Sequence, residues 1–194
     1  MTLAEQIKGK QVVLIVVPKK NYKNCMTEII KAVESTEGRI CYASMNKSHE
    51  LTLKDLRDNN AQIDRYFFID VLSNGAGDLP IIDSHREIIK TPNALSELSM
   101  AFTKATIEKG CGEVLFDAIS TLTGYHDEGD VLKLINGMVN KARTNNLRTI
   151  YIAIKEDDRY LVDDMSMFAD SVIDLAKKKE RGGKNLNHLH LLAI

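Results

Sequence analysis

Two kinds of segment alternate along the chain. The first is short, apolar and rich in β-branched residues, and it recurs at 12–17 (VVLIVV), 40–43, 66–69, 114–116, 149–154 and 171–175. Runs of this length without polar alternation are what a parallel strand needs when helices cover both faces of its sheet. Six strands are expected. The second kind is longer and repeats its apolar positions every three or four residues. Leu95, Leu98, Phe102 and Ala105 make one such stripe, preceded by Thr91, Pro92 and Asn93, which offer a first-turn proline and two capping side chains. Gly110 follows as a C-terminal cap. Val131, Ile135, Met138 and Ala142 make a second stripe over 130–143, and 21–34 and 51–59 read as two further helices.

Helices of that length between strands imply right-handed crossovers and an α/β fold with one mainly parallel central sheet flanked by helices. The final stretch, 186–194, follows Gly182-Gly183 and is expected to return as an antiparallel edge strand. One long irregular stretch remains, 73–87, which contains Pro80, with Gly75 and Gly77 for mobility and Leu79, Ile81 and Ile82 for contact. It is read as a loop facing a partner or a second copy of the chain.

The bulk properties narrow the function classes. At 194 residues the chain is expected to form one domain, 1–194. Lys+Arg and Asp+Glu nearly cancel, 26 against 27, so no global field draws the protein onto nucleic acid or an anionic membrane. The basic run at 177–181 is read as a solvated turn. Cys25, Cys41 and Cys111 are odd in number and far apart, which excludes a disulfide framework and a zinc site of the C-x-x-C type. Residues 1–10 carry no apolar signal core, and no run approaches the roughly 18 apolar residues of a membrane span. A cytoplasmic protein with reduced thiols is expected.

Ligands of such a sheet sit at the carboxyl ends of the strands. A phosphate loop there needs G-x-x-x-x-G-K-[S/T], because glycines let successive amides wrap the phosphates, lysine meets the outer phosphates and the hydroxyl holds Mg²⁺. After the first strand this chain reads Pro18-Lys19-Lys20-Asn21-Tyr22-Lys23-Asn24-Cys25. Both glycines are missing, Asn24 stands in the lysine slot and Cys25 in the hydroxyl slot. Lys19, Lys20 and Lys23 retain the charge to attract an anion near a helix start, and the competing reading is a solvated basic turn. Asp117 closes the run Glu113-Val114-Leu115-Phe116, where a strand-end aspartate orients the water shell of Mg²⁺ or simply caps a turn.

Three other sets are weaker. His188 and His190 lack an evident third metal ligand, and Cys25 beside Lys23 lacks a base to make it a nucleophile. Glu156-Asp157-Asp158 could hold a cation on the ligand face, and the preferred reading is a solvated helix cap.

Five blocks recur in an order that carries a resemblance: 40–48 (ICYASMNKS), 67–73 (FFIDVLS), 92–98 (PNALSEL), 116–122 (FDAISTL) and 168–175 (FADSVIDL). Over 12–175 the chain resembles the KaiC-type branch of the RecA superfamily of P-loop ATPases, in particular its compact archaeal single-domain members. The resemblance implies a RecA-like three-layer sandwich. It also implies a pair of glutamates at the end of the second strand, within a pattern like F-E-E-S, to activate the attacking water. Here that position reads Met45-Asn46-Lys47-Ser48, and neither asparagine nor a protonated lysine can accept the water's proton.

The expectation is therefore a pseudo-ATPase with a degenerate Walker A motif, acting as a regulatory or protein-interaction module. No catalytic residue, metal ligand or resident cofactor is expected. The alternative is a nucleotide-binding protein with weak or noncanonical ATPase activity, using ATP and Mg²⁺ through Lys19, Lys20, Lys23, Asn24, Cys25 and Asp117. Relatives of this type form rings or filaments with nucleotide between subunits, so the expected partner is a protein, or a second copy in a homo-oligomer. Neither a membrane nor a nucleic acid is expected as a partner.

Overall fold

All six residues of β1 (Val12–Val17) are buried. Successive side chains of a strand point to opposite faces, so Val12, Leu14 and Val16 join one hydrophobic cluster while Val13, Ile15 and Val17 join another. A strand that must be apolar on both faces lies between two helix layers, and this alternation sets the architecture. The structure, a computed structural model, describes residues 1–71, 84–89, 91, 94–155 and 159–178.

The remaining strands are β2 (Arg39–Ser44), β3 (Tyr66–Asp70), β4 (Arg86–Ile88), β5 (Cys111–Asp117), β6 (Arg148–Ile154) and β7 (Ser171–Asp174). They form one sheet in the order β4-β3-β2-β5-β6-β1-β7, and every described pair is parallel. The first layer holds α1 (Leu3–Ile7), α2 (Tyr22–Glu34) and α3 (His49–Asp58), whose Ile7, Ile29, Ile30 and Leu56 pack on Tyr42, Leu115 and Ile152. The second holds α4 (Leu95–Thr103), α5 (Glu128–Thr144) and α6 (Arg159–Ser166), whose Phe102, Ile135 and Leu161 pack on Phe116 and Tyr151. Phe116 stacks between Phe102 and Tyr151, with ring centroids 6.0 and 4.9 Å away. A short helix, α7 (Leu175–Lys178), follows β7 directly.

The expected mainly parallel sheet is present, and among the described residues it has seven strands where six apolar runs were counted. The added strand β4 lies inside the stretch read as irregular: Phe68, Ile69 and Asp70 pair in parallel with Arg86, Glu87 and Ile88. A three-residue edge strand with two charged members has no apolar run to mark it. Residues 72–83, the bulk of the expected loop, lie outside the described residues, as do the acidic trio at 156–158, part of the basic run at 177–181, and 186–194 with His188 and His190.

Helix boundaries moved by a residue or two, with one chemical correction. The N-cap of α4 is Ala94, with no side-chain cap, so Thr91 does not take that position; Asn93 lies outside the described residues. Beyond α4 the chain continues through one π-type turn, Lys104–Glu108, and leaves it at Gly110 with φ +70°. That left-handed conformation is the reason for glycine at the helix end. The sequence reading also passed over α1. Its signal was Thr2 with Glu5 three residues on: the Glu5 amide donates to Thr2 Oγ1 at 3.2 Å and the Thr2 amide to Glu5 Oε2 at 2.7 Å. The three cysteines are buried and form no disulfide. Among the described residues no helix is long and apolar enough to cross a membrane.

Candidate functional site at the carboxyl edge of the sheet

After β1 the backbone turns at Pro18, φ −78° and ψ 136°, into a 3-10 turn over Lys19–Asn21 and then α2. The Asn21 amide donates to the Pro18 carbonyl at 3.1 Å, and the Tyr22 amide to the Lys19 carbonyl. Proline contributes no amide, and two of the following donors are spent inside the turn. Lys19, Lys20, Lys23 and Asn24 are exposed. Cys25 is buried on the inner face of α2 with Met26 and Ile29, so the residue in the hydroxyl slot belongs to the core.

The sixth candidate, Asp117, ends β5 and is fully buried. The groups that reach it come from β2 and the turn behind it. Ser44 and Asp117 are register partners in the parallel pair, and the Met45 amide donates to the Asp117 carbonyl at 2.7 Å. Tyr42, two residues back on the same face of β2, donates its hydroxyl to Asp117 Oδ2. Lys47 Nζ stands 3.6 Å from the same oxygen and 2.9 Å from Asp55 Oδ2 on α3. Asp117 Oδ1 is buried without a hydrogen-bond partner. Burial pushes the Asp117 carboxyl up to about 8, and the nearby ammonium opposes that rise by favouring the ionised form.

The turn that delivers Lys47 is built locally. Ser44 Oγ donates to the Lys47 carbonyl at 2.8 Å, and Ser48 then caps α3, accepting from the Leu51 amide at 3.5 Å. Asn46 Nδ2 donates to the Tyr22 hydroxyl at 3.1 Å, and the Lys47 ammonium lies over the Tyr22 ring, 4.9 Å from its centroid. The start of α2, the end of β2, the end of β5 and α3 thus meet at one side chain.

Sequence reasoning named Lys47 for what it could not do and missed what it does. It missed Asp70 as well. That carboxylate ends β3, is buried, and lies 3.8 Å from the Arg86 guanidinium of the unforeseen β4. The common signal is an acidic residue closing an apolar run, hhhD, which appears at both Asp70 and Asp117.

A strand-end aspartate of this architecture invites the question of a divalent cation. Asp117 has one oxygen committed to a phenol and an ammonium beside it, and among the described residues no group of three or more His, Cys, Asp or Glu could hold a metal ion. Such a cation wants several oxygen ligands and no neighbouring positive charge, so these residues do not fit one.

No family model matches the chain, and no curated protein matches it. Among solved structures it is similar to a KaiC-like protein from the hyperthermophilic archaeon Pyrococcus horikoshii, at 11% sequence identity and a TM-score of 0.60. The match covers 84% of this chain and 72% of that one. The chain has a RecA/KaiC-like three-layer α/β fold.

Proposed function

We propose that this chain is a non-hydrolysing RecA/KaiC-like domain of the cytoplasm that works as a regulatory or protein-interaction module, through self-association or a protein partner. The observation that carries the reading is Lys47. It occupies the place where a hydrolase of this architecture, by the resemblance, keeps its carboxylate base, and its ammonium is bound to Asp55 beside Asp117. A protonated amine cannot take a proton from water, and a fully buried carboxyl committed to Tyr42 has no route to one. The turn after β1 supports the same reading, since Pro18 and the internally bonded amides of Asn21 and Tyr22 leave no glycine-built cradle for phosphates. A second reading, nucleotide binding through side-chain charge alone, draws on Lys19, Lys20 and Lys23, which are exposed beside the start of α2.

Purified protein is expected to hydrolyse ATP and GTP no faster than its Asp117→Ala variant. Turnover that Asp117→Ala abolishes would overturn the reading. A rise in melting temperature with nucleotide that Lys19→Ala/Lys20→Ala removes, without turnover, would favour the second reading. Ligand at 100 times its dissociation constant adds about 2.7 kcal/mol, so binding is easily seen.

A further inference from the structure

The ammonium of Lys47 has three neighbours from three different elements. Asp55 Oδ2 of α3 is at 2.9 Å, Asp117 Oδ2 of β5 at 3.6 Å, and the face of Tyr22 of α2 at 4.9 Å. The side chain is largely buried, at 17% exposure, and its backbone is fixed by the Ser44 hydroxyl. A long flexible side chain gathered in this way has lost most of its rotamer freedom, which a solvated surface lysine keeps. We propose that Lys47 is a built-in cation: its ammonium takes the position beside Asp117 that a divalent ion would occupy, and it excludes such ions from the site. The proposal rests on the non-hydrolysing reading and explains how the fold can dispense with a metal there.

Two features support it beyond proximity. Asp117 is fully buried, and its Oδ1 has no hydrogen-bond partner, so the carboxylate keeps unused capacity toward a cation. Above the Asp117 transition one lysine faces two carboxylates, an excess of negative charge that accommodates one cation and not two. A divalent ion placed next to the ammonium would meet like charge at contact distance in a weakly screened setting. The ammonium also ties the elements together as a metal would, joining α2, α3 and β5 at the sheet's carboxyl edge.

The test removes the amine and asks whether a metal replaces it. Melting temperatures are compared with and without millimolar Mg²⁺ or Mn²⁺, at matched ionic strength and at a pH above the Asp117 transition, for the unaltered chain, Lys47→Ala and Lys47→Ala/Asp117→Asn. The unaltered chain should not respond. Lys47→Ala should melt lower and recover a few degrees with either ion, while the double variant should recover nothing. A folded Lys47→Ala that is indifferent to both ions would overturn the proposal. So would a response of the unaltered chain that Asp117→Asn abolishes. Should Lys47→Ala fail to fold, Lys47→Met keeps the packing of the stem and carries the same comparison. Metal binding by the unaltered chain without ATP turnover would sink this inference and leave the non-hydrolysing reading standing; Asp117-dependent turnover without a metal response would do the reverse.

Discussion

Strand β5 carries a buried carboxyl at each end, and the two are held differently. Glu113 and Asp117 are four residues apart and share a face with Leu115, toward α2 and α3. At the first end Gly112 is an extra residue in the pairing, where the register with β2 shifts between Arg39 and Ile40. The bulge sets Glu113 against Thr36, whose hydroxyl donates to Oε2 at 2.7 Å, and against the Arg148 guanidinium at 3.4 Å. Glu113 also lines an open cavity of about 320 Å³ with Lys10, Gln11 and Asn146. Burial pushes Glu113 up, and Thr36 and Arg148 pull it back. Asp117 itself is fully buried. The same strand thus shows one carboxyl that borders an open cavity and one that is sealed, each with one oxygen that has no hydrogen-bond partner. Only the second depends wholly on its protein partners.

The largest expected difference between the ends is in pH dependence. Burial raises the folded pKa of Asp117 to about 8, far above that of an unfolded aspartate, so between roughly pH 4 and 8 the folded chain holds a proton that the unfolded chain has released. The native state then binds more protons, and stability must fall as pH rises through that window, levelling off above it. Asp117→Asn removes the titration and should flatten the curve by about 5 kcal/mol, four pKa units at about 1.4 kcal/mol each. Glu113→Gln should flatten it in the same sense and by less, since Arg148 and Thr36 already favour the ionised form. Urea unfolding of the three proteins at several pH values checks both slopes. Equal slopes would erase the distinction between the ends.

Next in size is the loss of a hydroxyl at the closed end. Tyr42 is buried and donates to Asp117 Oδ2, and the other oxygen is already unbonded. Tyr42→Phe keeps the ring and leaves a sealed carboxyl with Lys47 alone. A loss of about 2 kcal/mol is expected, seen as a lower urea midpoint at unchanged slope. A loss below about 0.5 kcal/mol would mean that water or a rearranged Lys47 replaces the phenol.

These two ends also separate what the sequence could and could not tell. The strands and the two helix layers were legible because burial on both faces demands unbroken apolar runs, as in Val12–Val17, and burial on one face demands a stripe, as in α5 with Val131, Ile135 and Met138. The exceptions, α1 and β4, are five and three residues long, too short to show a period. The pairing of Lys47 with Asp117 was not legible, because it depends on β5 lying beside β2, an order that no periodicity records. Sequence distance misled as well: the lysines nearest the presumed phosphate site, Lys19, Lys20 and Lys23, are exposed, while the lysine that reaches Asp117 comes from the next strand over.

The smallest effect is expected from the matching deletion at the open end, Thr36→Val. The substitution preserves shape and removes only the hydroxyl, which donates to Glu113 Oε2 at 2.7 Å and also lies 2.7 Å from the Val33 carbonyl. A hydroxyl has one proton to share between two acceptors, so the bond to Glu113 is at most half of its occupancy. Glu113 keeps the Arg148 guanidinium and borders a cavity large enough for water to supply a replacement donor. The loss should therefore be about 0.5 kcal/mol, a quarter of that for Tyr42→Phe, although both changes remove one donor from one buried carboxyl. Measuring the two variants side by side by urea unfolding isolates the contribution of water access. Should Thr36→Val cost as much as Tyr42→Phe, the cavity does not hydrate Glu113, and the two ends of β5 are alike in energy despite their difference in geometry.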